Sequence, residues 1–161
     1  MVKELRDTSG SGVMDAKRAL EEANGDMAAA ANILRERGLA AAAKRAERET
    51  GQGVVDTYIH AGGRIGSLVE VNCETDFVAN TDEFRTLVHE IAMQVAAMNP
   101  SVVSAEDRGP ELEGSDEEIV LMNQPWVKDS SKTILDLVQD SMAKTGENIR
   151  VRRFARFELG S

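Results

Sequence analysis

The chain has 161 residues and a net charge of −9, enough length for one small domain plus a modest core. That charge argues against a phosphate-gripping surface, which needs Lys and Arg gathered on one face, so no direct nucleic-acid partner is expected. No run of about 18 apolar residues is present to span a bilayer and the first residues lack the basic-then-apolar layout of a signal peptide, so no membrane partner and a cytoplasmic location are expected. The lone Cys73 allows no intrachain disulfide and fits a reducing compartment.

Residues 2 to 38 predict three short helices packed on one another. Val2, Leu5 and Arg6 open the first, Met14, Ala16, Lys17 and Leu20 populate the second, and Ala30, Ile33 and Leu34 give the third an apolar face. Ser9-Gly10-Ser11-Gly12 separates the first two, Asn24-Gly25-Asp26 caps the next start, and Gly38 is expected to stop the third. A core this small is marginally stable. Residues 39 to 52, rich in Ala, Lys, Arg and Glu, read as a helical connector ending at Gly51-Gln52-Gly53. The expected organisation is a three-helix domain at 1–40, a helical linker at 41–53 and a core domain at 54–161.

Beyond the linker, Val54 to His60 and Arg64 to Cys73 have strand composition, with Ala61-Gly62-Gly63 as a hairpin turn. Val69 and Val71 point one way, Leu68 and Glu70 the other. From Thr81 to Met98 the spacing becomes helical through Phe84, Leu87, Val88, Ile91, Ala92 and Val95, with Asn80 or Thr81 as cap and Pro100 as terminator. Ser104 to Glu118 is acidic and carries Gly109-Pro110 and Gly114-Ser115, which predicts a solvated loop. Ser131 to Met142 predicts a short amphipathic helix closed by Gly146, and Ile149 to Glu158 alternates as a strand. The fold class is therefore α+β: an N-terminal three-helix module, then about three antiparallel strands covered by helices on one face.

Few side chains suggest catalysis. His60, Cys73 and His89 match no metal-ligand spacing, and Cys73 reads as a small core residue. No Ser or Cys nucleophile sits beside a plausible His base, and neither GxxxxGK[ST] nor GxGxxG is present. No catalytic residue, metal or cofactor is expected, and the chain reads as one that acts on another protein. Arg150, Arg152, Arg153 and Arg156 resemble a nucleic-acid patch, but they alternate with Val151, Phe154 and Phe157 in one strand and read as a solvated or acid-paired face.

Two segments admit a second reading. In Val71 to Asn80 an apolar strand runs into Asp76 and Phe77 just before a helix. Chemistry alone allows either a strand end in which Phe77 fills the core and Asp76 caps the turn, or a loop that displays both to a partner. Arg6, Val13, Met14 and Lys17 are either helix packing with solvated charges or a protein interface, for which a flexible Met beside Lys and Arg is suited.

Asn72-Cys73-Glu74-Thr75-Asp76-Phe77-Val78-Ala79, with Arg6 to Leu20, Gln124 to Lys132 and Gly146 to Gly160, resembles the elongation factor Ts family over nearly the whole chain. The resemblance implies a ubiquitin-associated-like helical module and a guanine nucleotide exchange factor, not an enzyme. Such a factor binds elongation factor Tu in its GDP-bound and nucleotide-free states and promotes GDP release so that GTP can rebind. It implies that Thr75, Asp76, Phe77 and Val78 form the tip that enters the partner's nucleotide-binding domain and disturbs its magnesium site. It also places the helical pair bearing Arg6, Val13, Met14 and Lys17 on that same domain. The chain departs from the family in its short acidic segment between Pro100 and Gln124, where members usually carry a longer stretch, and a monomer is expected when free. Two rivals remain: a ubiquitin-associated-type adaptor without exchange activity, and a small hydrolase using Glu70, Glu74 or Asp76 as acid and base.

Overall fold

The computed structural model describes residues 1–161, and its contacts divide them into two units, Met1–Arg48 with Met142–Asn148, and Glu49–Ser141 with Ile149–Ser161. In the first, α1 (Val2–Ser9), α2 (Val13–Glu22) and α3 (Met27–Arg45) follow one another. Gly10 takes the left-handed conformation after α1 and its N–H returns to the Arg6 carbonyl at 2.9 Å, the ending glycine favours. Asp26 caps α3, its carboxylate accepting from Ala28 N–H and Ala29 N–H at 2.9 and 3.0 Å. Leu5, Ala16, Ala19, Leu20, Ala30 and Leu34 form the buried centre. Half of these are alanines, so the helices approach closely while the apolar area buried stays small.

Gly38 does not stop α3. The helix runs through it to Arg45 because Leu39-Ala40-Ala41-Ala42-Ala43 behind it are strong helix formers, and their summed propensity outweighs the roughly 1 kcal/mol that one glycine costs. A Cβ built at Gly38 meets nothing within 4 Å. Gly38→Ala is therefore expected to stabilise the helical module by about 0.5–1 kcal/mol, measured as a raised midpoint in thermal or urea unfolding. At the far end of α3, Asn148 donates through its side-chain amide to the Arg48 carbonyl at 2.9 Å and the Ala46 carbonyl at 3.4 Å, and Arg45 reaches the Met142 carbonyl at 3.3 Å.

The second unit is built on a three-stranded antiparallel sheet. β1 (Gln52–Ile59), β2 (Ile65–Cys73) and a last strand, Ile149–Glu158, lie in that order with β2 central. Gly53 belongs to β1 rather than breaking it. Its φ is 154°, and a Cβ there would stand 2.3 Å from the Val71 carbonyl oxygen, so only glycine allows this approach. One sheet face is covered by α5 (Asp82–Met98), which buries Phe84, Leu87, Val88, Ile91, Ala92 and Val95 against Val69, Val71 and Cys73. Thr81 is its cap and Asn99, left-handed, its end, one residue before Pro100.

Two details differ from the sequence expectation. The helix expected from Ser131 begins at Ile134 (Ile134–Thr145), because Asp129–Thr133 pairs as a strand with Pro125–Trp126. Thr133 and Asp136 then exchange hydrogen bonds that fix the helix start, Thr133 N–H to the Asp136 carboxylate at 2.8 Å and Asp136 N–H to the Thr133 hydroxyl at 3.2 Å. The acidic segment 104–118 is not a featureless loop. It holds a turn of 3₁₀ helix at Ala105–Asp107 and a turn of α-helix at Asp116–Ile119, folded back around Arg108, whose guanidinium reaches the Leu112 and Gly114 carbonyls and Asp116. As expected, helix covers one face only, and the face of the sheet away from α5 has none over it. Register puts Val55, Ile59, Leu68 and Phe157 on that side, all exposed. A monomer was expected because the short central segment leaves no association helix. This apolar face is a separate surface, and sedimentation at micromolar concentration decides whether it stays solvated.

Candidate docking site

Directly after β2 the chain makes a single helical turn, α4 (Asp76–Ala79), before α5 begins. A helix of four residues cannot sustain itself, because nucleation costs more than one turn of hydrogen bonds returns. This one is held by its flanks. Thr75 is its cap, accepting from Val78 N–H at 3.3 Å, and the Asn80 N–H returns to the Asp76 carbonyl at 3.0 Å. Val78 and Ala79 are buried and pin the turn from below. Phe77 points the other way and is 81% exposed.

The core reading of Phe77 is thus overturned, and the capping role given to Asp76 in that reading belongs to Thr75. Of the four residues expected at the tip, Thr75, Asp76 and Phe77 are exposed and Val78 is not. Val78 anchors the turn instead of presenting itself. Cys73 lies in the core as expected, its thiol donating to the Thr75 carbonyl at 3.2 Å.

On the helical module, Val13 and Met14 open α2 and are both exposed: Met14 points away from Ala16, Ala19 and Leu20, and Val13 lies over Leu20 at the open end of the helix. Lys17 follows one turn later, 3.8 Å from Glu21, and Arg6 is paired with its neighbour Asp7 at 2.9 Å. Exposed pairs of this kind contribute little to stability, so these charges remain available to a partner at low cost.

Of the arginines of the last strand, Arg152 and Arg153 form an acid-paired cluster, by a route the sequence did not reveal, while Arg156 lies on the α5 side and donates to the Ala96 carbonyl at 3.1 Å. The register of that strand (β5 in chain order, Ile149–Glu158) slips between Glu70 and Val71, which pair with Arg153 and Val151. Arg152 is the extra residue of a bulge, so two consecutive arginines turn to one acid instead of opposite faces. Arg153 Nε lies 2.9 Å and Arg152 Nη1 3.5 Å from Glu70, while Arg156 pairs with Glu158 at 3.1 Å.

Burial of Glu70, whose side chain is 17% exposed, pushes its carboxyl up. Hydrogen bonds from Arg153 and Asn72 and the charges of Arg152 and Arg153 outweigh this and hold it below the usual carboxylate range. A group so held cannot serve as a general acid near neutrality, which removes Glu70 as the acid of the hydrolase reading. Because the folded-state value is depressed, its stabilising contribution is present above the ordinary carboxylate range and disappears as pH falls through the folded value. Glu70→Gln should therefore be less stable than the parent at neutral pH, with the gap closing below about pH 4, as read from urea midpoints across that range.

His89 Nδ1 lies 3.1 Å from Asp56, and His60 Nδ1 lies 3.1 Å from the Tyr58 hydroxyl. No group of three or more His, Cys, Asp or Glu side chains is placed to hold a metal ion. No helix is long and apolar enough to cross a membrane.

An α+β chain whose most exposed aromatic stands on a fixed turn, with a second exposed apolar pair on a helical module, has the layout of a protein-docking factor. Residues 14–112 match the family model of elongation factor Ts, a span that includes Met14, Lys17 and the whole of α4. The chain is 51% identical to elongation factor Ts of a Thermoanaerobacter species, covering 99% of this chain and 93% of that protein. It is 50% identical to that of Carboxydothermus hydrogenoformans, covering 99% and 88%, and 49% identical to that of Thermosynechococcus vestitus, covering 99% and 64%. The chain belongs to the elongation factor Ts family. The alignment with the Thermoanaerobacter protein runs over 189 positions against 161 residues here, so that relative carries residues this chain lacks.

Proposed function

We propose that this chain is a guanine nucleotide exchange factor that binds elongation factor Tu, GDP-bound or nucleotide-free, and promotes GDP release in the cytoplasm so that GTP can rebind. It uses no catalytic side chain and no cofactor of its own. The observation that carries this reading is Phe77, an apolar ring held out in water on a turn that its neighbours fix. Burying one Phe in a partner's pocket returns roughly 1.5–3 kcal/mol, and a rigid scaffold spends little of that on ordering.

Exchange follows from linkage. A factor that prefers the nucleotide-free partner weakens nucleotide binding by the same factor by which nucleotide weakens its own. A thousandfold effect asks for about 4 kcal/mol of differential binding, within reach of one aromatic wedge and a few contacts elsewhere. Phe77 supplies the wedge, Asp76 beside it disturbs the partner's magnesium shell, and Arg6, Val13, Met14 and Lys17 supply anchorage. The test is release of fluorescent GDP from purified elongation factor Tu with and without the chain. Acceleration that saturates with factor concentration supports the reading. Binding without acceleration leaves a ubiquitin-associated-type adaptor in its place.

A further inference from the structure

We infer that Thr81 is a positioning residue for exchange: its one hydroxyl ties the Phe77 turn to α5, so the wedge takes its direction from the core helix. This rests on the exchange reading above. The hydroxyl has one proton and spends it on α4, donating to the Val78 carbonyl at 2.7 Å. Its oxygen at the same time accepts from Phe84 N–H at 3.2 Å, as the cap of α5. Phe84 is fully buried against the sheet. Beside the direct packing of Val78 and Ala79, one path from the residue next to Phe77 to the core helix is two hydrogen bonds through one oxygen atom.

Backbone bonds run in parallel, with Thr81 N–H also reaching the Val78 carbonyl at 3.0 Å and Arg85 N–H the Thr81 carbonyl at 3.1 Å. A second side-chain link joins Arg85 Nη2 of α5 to Asn80 Oδ1, just past α4, at 3.2 Å, but the Thr81 hydroxyl is the side-chain link that reaches Val78. Four residues of helix have no stiffness of their own, and an exposed wedge is useful only if its supporting contacts hold its direction to a fraction of an ångström.

The two functions of the hydroxyl can be separated. Asp and Gly both serve well as helix N-caps, and neither can donate to the Val78 carbonyl at neutral pH. Thr81→Asp adds a charge and Thr81→Gly does not. Thr81→Ser keeps the hydroxyl and both bonds. The full chain and these three variants are compared for thermal midpoint and for GDP release from elongation factor Tu as a function of factor concentration.

The expected result is that Thr81→Asp and Thr81→Gly each lower the saturating rate about fivefold, the factor that one net hydrogen bond commands, with half-saturating concentration within about twofold, as expected for a loss realised only in the transition state. Thr81→Ser should keep the parental rate. A purely structural cap predicts that the saturating rate follows the thermal midpoint across all three variants, and that outcome overturns the proposal. A loss confined to Thr81→Asp reports charge, and one confined to Thr81→Gly reports backbone freedom; either overturns it as well. If the parent itself fails to accelerate GDP release, the exchange reading falls first. If the parent accelerates it and both variants match the parent, only the positioning role of Thr81 falls.

Discussion

Phe77→Ala is expected to lower the saturating rate of GDP release at least about tenfold while the chain folds as before. The ring is 81% exposed, so its removal opens no cavity, and the large destabilisation that follows core truncation does not apply. Truncating an interface hot spot costs about 2 kcal/mol or more, and each 1.4 kcal/mol is about tenfold. Stopped-flow release at saturating factor, with circular dichroism of the variant, separates the outcomes. A folded variant that exchanges normally would end the wedge hypothesis. Asp76→Ala differs in kind. Its carboxylate stands exposed in the first turn of α4 and holds nothing in the core, so it should lose exchange with a smaller loss of docking.

Replacing Val13 and Met14 together by Glu should raise the half-saturating factor concentration about tenfold or more and leave the saturating rate within about twofold. Interactions made equally throughout the reaction shift affinity without shifting the maximal rate. Both positions lie in the first turn of α2 and outside the core, where acidic side chains suit the positive helix end, so the module should keep its fold. A fall in the saturating rate would mean that the helical module takes part in exchange and is more than an anchor. The companion experiment, removal of the module, has to cut after Arg48 and not near Ala40, since α3 continues to Arg45 and a cut at Ala40 would sever a helix.

Local signals carried most of the secondary structure. The period-2 pattern of Val69, Val71 and Cys73 and the helical spacing of Phe84 to Val95 each fix a buried face without reference to anything distant. Capping residues likewise act over three or four positions, which is why Asp26 was legible at its helix start and the cap of α5 was narrowed to Asn80 or Thr81, of which the structure uses Thr81. Two of the errors show a single residue's signal overridden, once by its sequence neighbours and once by a paired strand. Gly38 is a stop signal by itself, but the alanine run behind it decides the outcome. Ser131 to Thr133 can extend a helix or pair with a strand, and only the presence of Pro125–Trp126 alongside chooses the strand.

The site divides along the same line. The sequence by itself determined that Asp76 and Phe77 stand together between a strand and a capped helix, and that Val13, Met14 and Lys17 share the start of one helix, because those are relations between near neighbours in the chain. Only the tertiary structure decided that Phe77 faces water while Val78 and Ala79 face the core, since a short turn can roll either way until its flanks are packed. It alone placed Arg152 and Arg153 together on Glu70, because a bulge is a mismatch between two strands and exists in neither one. The uncovered side of the sheet has the same origin. Val55, Ile59, Leu68 and Phe157 are scattered over three strands, and pairing in register is what gathers them into one apolar face.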